Sequence, residues 1–145
     1  FVHDEAPAFF GGLAGNAGLF STARDVARVY QMLLNGGEID GQRYLSKETC
    51  QLFTTETSKI SRRGLGFDKP DADDPKKGNC APAAPAEVYG HTGFTGTCAW
   101  VDPVNELVYV FLSNRIYPDV TNRKLNQLHI RERIQGAIYD AMKKK

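Results

Sequence analysis

The segment from Val88 to Pro103, VYGHTGFTGTCAWVDP, places a histidine, a threonine and two glycines between apolar runs that are typical of strands. On a strand facing a cleft, His91 would offer a ring N–H or a positive charge to an anionic substrate group, and Thr92 would add a hydroxyl. Gly93 lacks a side chain, so a ligand can lie against the backbone, and the N–H of Phe94 is then free to stabilise an oxyanion. We predict substrate binding by His91, Thr92 and Gly93, and a catalytic role for Phe94.

Each of the other polar signals has a simpler interpretation beside the functional one. His3, Asp4 and Glu5 could ligate a metal, but a solvated charged segment explains them as well. Ser113-Asn114-Arg115 follows a strand pattern, where a turn is commoner than a substrate contact. The glycines near Gly12 match neither nucleotide-binding fingerprint, and the His-Thr-Gly triplet also fits an ordinary turn beside a strand. We predict neither a cofactor nor a metal.

Composition limits the possible classes of protein. The chain has 145 residues, enough for one domain, with 18 basic and 17 acidic residues. This balance gives no electrostatic footprint for nucleic acid, and no apolar run approaches the roughly 18 residues of a membrane span. The three cysteines are an odd set without CxxC spacing, which argues against a disulfide framework or a zinc site.

The N-terminal half reads as helices joined by glycine-rich loops. Four glycines between residues 11 and 18 indicate a tight loop with close backbone approach, and Thr22 with Asp25 fits a capping box for a helix that ends at Gly36-Gly37. An Asp40-Gly41 turn follows, and Ser46 can cap a short helix reaching about Phe53. The sequence RRGLGF is compatible with a short strand, and its Arg62-Arg63 pair is expected at a solvated loop edge. Residues 68–86 read as an irregular surface loop.

The C-terminal half reads as antiparallel strands followed by a helix. Strands are predicted at Val88–His91, Thr97–Asp102 and Leu107–Ser113, with a hairpin turn between the last two. The run LVYVFL predicts a strand buried on both faces. The stretch Thr121–Lys145 predicts one long helix, whose apolar stripe is Ile130, Ile134, Ile138 and Met142, widened by Ala137 and Ala141. This order predicts an α+β fold, an antiparallel sheet with helices packed on it.

The triplet and its surroundings resemble a known enzyme family. His91-Thr92-Gly93 is similar to the K-T-G element of serine β-lactamases and penicillin-binding proteins, with His in the Lys place as in the class C-like esterase and carboxypeptidase branch. GGLAGNAGLFSTARDVARVYQMLLNGG and WVDPVNELVYVFLSNRIYPD resemble that branch's glycine loop with its helix and its last hairpin. The resemblance implies a partial β-lactamase/transpeptidase-like fold. The opening also resembles the module ending some bacterial family 3 β-N-acetylglucosaminidases, with departures at Asn16 and Cys98.

The family's nucleophilic machinery is missing from this sequence. No serine is followed three residues later by Lys, and no Tyr or Ser begins a Y-x-N or S-x-N element. In the family both elements precede the triplet, so we expect residues 1–145 to be the C-terminal portion of a serine hydrolase domain, without an initiator Met and inactive alone. A hydroxyl without a base is a poor nucleophile.

The resemblance also implies what the intact protein acts on and where. We expect a small-molecule or cell-wall-derived substrate, namely an ester, an amide or a peptide, and a periplasmic or cell-envelope location. We expect no nucleic-acid partner. We do expect a homodimer that forms through an unpaired, exposed sheet edge. The alternative is a non-catalytic accessory module of a β-N-acetylglucosaminidase polypeptide.

Overall fold

The computed structural model describes residues 4–55, 60–71, 73–74 and 78–143. The charged segment at His3 therefore lies partly outside the described residues, as does the predicted end of the last helix at Lys145. Within the described ranges, two helices precede a small hairpin and a third helix follows it. A three-stranded sheet comes next, and two more helices end the described chain. The elements are α1 Glu5–Phe9, α2 Ala23–Leu34, β1 Glu38–Ile39, β2 Gln42–Arg43, α3 Lys47–Thr54, β3 Tyr89–Thr92, β4 Cys98–Asp102, β5 Leu107–Phe111, α4 Lys124–Gln127 and α5 Ile130–Met142.

The predicted helix starts and turns in the N-terminal half are confirmed. The Thr22 hydroxyl accepts the N–H of Asp25 at the start of α2, and Ser46 accepts the N–H of Thr49 at the start of α3. Such caps satisfy backbone donors that the first helical turn leaves open. Asp40 and Gly41 both have positive φ in the β1–β2 turn, as a tight hairpin requires.

The three-stranded sheet is antiparallel, in the order β3-β4-β5. All five residues of β4 are buried, so the central strand is the one covered on both faces. The prediction that LVYVFL is buried on both faces is wrong, because β5 is an edge strand in which only Tyr109 is buried and Leu112 beyond it is 43% exposed. The α+β prediction, with helices on an antiparallel sheet, is confirmed.

Helices cover both faces of this sheet. Tyr30 of α2 meets Phe67, which meets Tyr89 of β3, in edge-on aromatic contacts. The opposite face carries Trp100 and Tyr109, and the Tyr109 hydroxyl donates to the backbone carbonyl of Arg131 in α5. The main buried cluster lies on this second face and comprises Cys80, Val88, Cys98, Trp100 and Tyr109.

The predicted single C-terminal helix is wrong in two respects. The chain forms α4, then places His129 in the left-handed region at φ 49° before α5 begins. The predicted stripe is not the buried face either, since Ile134 and Met142 are 38% and 39% exposed. The buried positions of α5 are instead Arg131, Glu132, Gln135 and Tyr139.

The segment before β3 also departs from its predicted structure. RRGLGF forms no strand; the next residue, Asp68, makes one isolated antiparallel bridge to Gly90. The described residues between 68 and 86 are irregular, as predicted, but they are not simply a surface loop, because Asp68, Lys69 and Cys80 are buried. Arg62, expected in solvent, holds the Asp68 carboxylate with two hydrogen bonds of 2.8 and 3.1 Å.

Candidate active site

The edge of β3 that faces away from β4 carries the candidate substrate-binding backbone. Gly90 exchanges both of its backbone hydrogen bonds with Asp68, whereas the N–H of Gly93 donates to Thr97 on the β4 side. Because backbone direction alternates along a strand, Thr92 points its N–H and C=O to the same outer edge as Gly90, just past the end of the Asp68 bridge. The outer edge is therefore closed at Gly90, whereas at Thr92 the N–H has no backbone acceptor among the described residues and the carbonyl contacts the His91 ring.

Phe94 stands at the second position of the turn that follows. The turn is closed by the N–H of Gly96 donating to the carbonyl of Gly93 at 2.9 Å, which leaves the N–H of Phe94 outside the turn's own hydrogen bond. Among the described residues this N–H has no hydrogen-bond acceptor. The Phe94 side chain is 46% exposed, so the triplet and its turn lie at the surface rather than in the core.

His91 has both ring nitrogens engaged. Nδ1 lies 2.6 Å from the carbonyl oxygen of Thr92, and Nε2 lies 3.4 Å from Nη1 of Arg63. A carbonyl only accepts and a guanidinium only donates. The contacts place Arg63 beside the triplet, where its Nε also lies 3.8 Å from Oδ1 of Asp68.

The side chains of His91 and Thr92 lie on opposite faces of the sheet. His91 pairs with Ala99 on the face of Tyr89, toward α2, whereas Thr92 pairs with Cys98 on the face of Trp100, toward α5. Alternation along the strand causes this separation. The triplet thus offers an imidazole on one side and a hydroxyl on the other, with the open backbone between them.

Two glycines shape the turn for local reasons. A Cβ at Gly93 would lie 2.3 Å from Oγ1 of Thr97, so the space beside Gly93 is used by a neighbouring side chain. Gly96 has φ +91°, and a Cβ there would come within 2.4 Å of Leu125. A non-glycine residue would be strained at that φ and would also collide.

A concavity of about 420 Å³ opens beside the turn. Its walls include Thr92, Gly93 and Phe94 from the triplet side, but not His91. Arg115 also lines it, with its guanidinium carbon 5.3 Å from the centre of the Phe94 ring, a distance at which a cation and an aromatic face attract. Three of the four predicted site residues therefore share one concavity.

Ser113-Asn114-Arg115 supports the turn, in line with its interpretation as a turn segment. The Ser113 hydroxyl and the N–H of Arg115 both donate to the carbonyl of Thr95, at 3.1 and 2.9 Å. These bonds anchor the β3–β4 turn to the chain leaving β5. The position of Phe94 is thereby fixed from two sides.

A larger concavity, of about 740 Å³, lies elsewhere, between α2, α3 and the segment before β3. Its wall includes Lys69, whose ammonium group donates to the carbonyls of Thr54, Glu87 and Val88 at 3.3 Å each. This lysine ties three chain segments together. The volume is larger than that beside the turn, but no residue of the triplet lines it.

The chemistry available in the described part of the chain is binding and electrostatic stabilisation. No group of three or more His, Cys, Asp or Glu side chains there could hold a metal ion. No helix in that part is both long enough and apolar enough to cross a membrane. The backbone N–H of Phe94, which has no acceptor among the described residues, is suited to stabilising developing negative charge.

Comparison with known proteins identifies the family. A family profile described as Beta-lactamase matches residues 2–132. This chain belongs to the beta-lactamase family. Within that family it is 39% identical over 127 residues to a protein of Escherichia coli O157:H7, and 36% identical over 126 residues to one of Salmonella agona (strain SL483). Both carry the name "Putative D-alanyl-D-alanine carboxypeptidase".

The aligned region covers 86% of this beta-lactamase-family chain but only 29% of each of these relatives. The chain thus spans less than a third of the length of the curated relatives that it matches. Membership in the family confirms the resemblance seen in the triplet, the glycine loop and the last hairpin. The finer resemblance to a glucosaminidase module gains no support from these relatives.

Sequence reasoning did not find every residue of this site. Arg63 was assigned to a solvated loop edge, yet it contacts His91, and Arg115 was treated only as part of a turn. A basic pair directly before a glycine-rich segment gives no local signal of a contact 28 positions away. Both residues could be found only through the tertiary fold.

Proposed function

We propose that this chain supplies the substrate-binding strand and one oxyanion-hole donor of a serine hydrolase that transfers acyl groups. The observation that carries the proposal is the open outer edge of β3, where the N–H of Phe94 has no acceptor among the described residues. Fixed donors of this kind stabilise the oxyanion of a tetrahedral intermediate. His91, Thr92 and Gly93 would align the substrate beside it.

The charges around the triplet favour a substrate with an anionic group. Arg63, which also forms an ion pair of 3.8 Å with Asp68, lies beside His91 on one side, and Arg115 provides a positive charge beside Phe94 on the other. The names of the relatives make a peptide ending in D-alanine the first substrate to test. An ester or another amide fits the same open edge and remains within the proposal.

We further propose that residues 1–145 form the C-terminal portion of the hydrolase domain and have no activity alone. The sequence contains no S-x-x-K element, and the matched relatives are more than three times as long as the aligned region. Since acyl transfer needs a serine activated by a neighbouring base, the nucleophile would come from a segment outside this sequence.

Three further predictions concern the longer polypeptide and its assembly. An accessory role in a glucosaminidase polypeptide stays a prediction, and neither relative named above carries a glycosidase name. Dimerisation through a sheet edge and a location in the cell envelope also stay predictions. The Asp68 bridge already covers part of the β3 edge, so β5 offers the longer free edge for strand pairing.

The test compares two polypeptides with a fluorescent penicillin or a fluorophosphonate probe. The 145-residue chain alone should not be labelled, whereas the chain joined to the coding sequence upstream of Phe1 should be. In the longer protein, Thr92→Val and His91→Gln should each slow acylation at least about tenfold, about 1.4 kcal/mol of transition-state stabilisation. Thr121→Val, an exposed position, is the matched control and should leave labelling unchanged.

Two results would contradict the proposal. Stoichiometric labelling of the 145-residue chain alone would show that it contains its own nucleophile. Acylation at the wild-type rate in both triplet variants would remove His91 and Thr92 from substrate binding.

A further inference from the structure

The segment at residues 62–68 is attached to the strand that bears the triplet. The N–H of Gly64 donates to the carbonyl of Phe67 at 3.1 Å, which closes a turn. The Phe67 ring packs edge-on against the first residue of β3, and Asp68 forms the backbone bridge to Gly90. The C-terminal end of this segment therefore keeps a fixed position relative to β3.

The other end of the segment packs against the end of α3. A Cβ at Gly64 would lie 2.5 Å from the carbonyl oxygen of Phe53 and 2.9 Å from that of Thr55. Only glycine allows two backbones to approach this closely. The backbone beside Arg63 is therefore fixed as well, and this determines the point from which the Arg63 side chain extends.

The two adjacent arginines of this segment differ in what they contact. Arg62 donates two hydrogen bonds, of 2.8 and 3.1 Å, to the buried carboxylate of Asp68. Arg63 reaches the same carboxylate only through an ion pair of 3.8 Å, and its Nη1 lies 3.4 Å from Nε2 of His91. The Arg63 side chain is 49% exposed, against 31% for Arg62. Arg62 therefore holds the buried acid, whereas Arg63 extends from that acid to the triplet.

The imidazole of His91 has two polar contacts among the described residues, one at each ring nitrogen. Nδ1 contacts the carbonyl oxygen of Thr92, the next residue of the same strand, and Nε2 contacts Arg63. Because the terminal side-chain torsion of histidine is broadly distributed, a second contact narrows the orientation of the ring. Only the contact with Arg63 joins the ring to another part of the chain.

We propose that Arg63 is a positioning residue for His91, with its guanidinium spanning the distance from Asp68 to the imidazole. A guanidinium carries its N–H groups in a rigid planar fork, so Nε can face Asp68 while Nη1 faces His91. The bridge between Asp68 and Gly90 places that acid beside the residue directly before His91. Arg63 therefore keeps the ring in one orientation relative to the substrate-binding strand.

The inference rests on the proposed function only for the part that His91 plays in acyl transfer. The first experiment therefore uses the 145-residue chain and needs no reaction. Arg63→Gln should shift the ring resonances of His91 in ¹H–¹⁵N spectra, and those of His129 should stay unchanged. The urea midpoint should also stay unchanged, because an exposed ion pair contributes little to stability. Arg62→Gln is the matched structural variant and should lower the urea midpoint, because the buried Asp68 loses two donors.

The second experiment measures the rate of acylation of the longer protein by the fluorophosphonate probe. Arg63→Gln should slow acylation at least about fivefold, whereas Arg133→Gln, at an exposed arginine on α5, should leave the rate unchanged. A residue that acts through His91 has nothing left to position once His91 is replaced. Adding Arg63→Gln to His91→Gln should therefore change the rate by less than about twofold.

Three outcomes would overturn the inference. Unchanged ring resonances of His91 in Arg63→Gln would show that Arg63 does not orient the imidazole. A clear fall of the urea midpoint in Arg63→Gln would make Arg63 a residue of the fold rather than of the site. A further loss of about fivefold on top of His91→Gln would show that Arg63 acts independently of His91.

Failure of this inference is distinguishable from failure of the proposed function. Labelling of the longer protein together with an unshifted His91 ring in Arg63→Gln would defeat only the positioning role. A shifted ring without any labelling of the longer wild-type protein would defeat only the serine-hydrolase proposal.

Discussion

The Tyr139 hydroxyl donates a hydrogen bond of 2.8 Å to Oδ2 of Asp102, joining α5 to the end of β4. Both residues are buried. Asp102 also accepts the backbone N–H groups of Val104 and Asn105, which shape the β4–β5 hairpin. One carboxylate thus orders the hairpin and fixes the helix that bears Arg131 and Glu132. Burial raises the pKa of Tyr139, and its hydrogen bond to Asp102 raises it further, so the phenol keeps its proton.

Removing this hydroxyl should destabilise the chain measurably. We expect Tyr139→Phe to lower the free energy of unfolding by about 1–2 kcal/mol, because a buried carboxylate oxygen loses one of its donors. Urea unfolding followed by tryptophan fluorescence reports the change, since Trp100 is in the adjacent core. Tyr117→Phe, at a residue that is 72% exposed, is the control and should be neutral; equal effects would deny the Asp102 bond any energetic role.

The buried Asp68 should be the most sensitive acidic residue before β3. It is 1% exposed and accepts hydrogen bonds from Arg62 and from Asn79, the latter at 2.8 Å. Asp68→Asn removes the charge that Arg62 contacts with two hydrogen bonds and leaves Arg62 with its 3.7 Å ion pair to Asp71, and we expect a loss of about 2 kcal/mol. Asp73→Asn, at an exposed position, should change the free energy of unfolding by less than about 0.5 kcal/mol.

The pKa of Asp68 indicates how the free energy of unfolding should change at acid pH. Burial alone raises the pKa of Asp68, but the hydrogen bonds from Asn79 and Arg62 outweigh burial, and the net pKa is lowered. A lowered folded pKa means that the contribution is present above the unfolded value, about 3.9, and is lost as pH falls through the folded value. Stability measured from pH 6 down to pH 2 should fall more in the wild type than in Asp68→Asn, and parallel curves would contradict the assignment.

Gly90 should tolerate no side chain. A Cβ there would lie 2.1 Å from the carbonyl oxygen of Ala99 and 2.6 Å from the Trp100 ring. We expect Gly90→Ala to cost about 1–3 kcal/mol through overpacking. The matched control is Gly15→Ala, where nothing lies within 4 Å of the added atom; thermal unfolding of both variants should separate them clearly, and a neutral Gly90→Ala would mean that the sheet relaxes there.

The cysteines should react slowly with thiol reagents in the folded chain. Burial raises the pKa of Cys80 to about 12 and that of Cys98 to about 11, and burial also raises the pKa of Cys50. The thiolate is the reactive form, so labelling at pH 8 should be at least about 100-fold slower than in urea. Fast labelling of Cys80 or Cys98 without denaturant would contradict the buried cluster.

The raised pKa values of the cysteines also imply that the folded state loses stability at alkaline pH. A thiol whose folded pKa lies above its unfolded value contributes stability that is complete below the unfolded pKa and is lost as pH rises toward the folded one. The window therefore runs from about pH 8.5 to about pH 12 for Cys80. In Cys80→Ala the alkaline fall should be shallower, and an unchanged slope would assign it to other groups.

Local signals in the sequence predicted some elements well and others poorly. Thr22 and Ser46 identified helix starts because capping depends on one hydroxyl and its neighbouring backbone. The buried face of α5 was missed because a four-residue step drifts by about 40° per turn, which leaves Ile130 and Met142 about 120° apart around the helix. Polar residues at 131, 132 and 135 then occupy the buried face, and a hydropathy pattern cannot indicate that.

The candidate site was also predicted only in those parts whose signals are local in the sequence. The triplet and its turn were located because glycine spacing and strand alternation are local properties. The contacts of Arg63 with His91 and of Arg62 with Asp68 were missed because they depend on how the segment before β3 folds back onto the sheet. Arg63 from that segment and Arg131 from α5 are charged groups near the site that no local pattern indicated.

The isolated Asp68–Gly90 bridge limits how far an added peptide strand can pair with the outer edge of β3. An incoming strand that hydrogen-bonds to Thr92 cannot continue toward Gly90, because that position is already occupied by the protein's own backbone. The bridge therefore acts as a stop that limits pairing to about one residue. Further strand pairing along this edge can therefore begin only on the C-terminal side of Gly90.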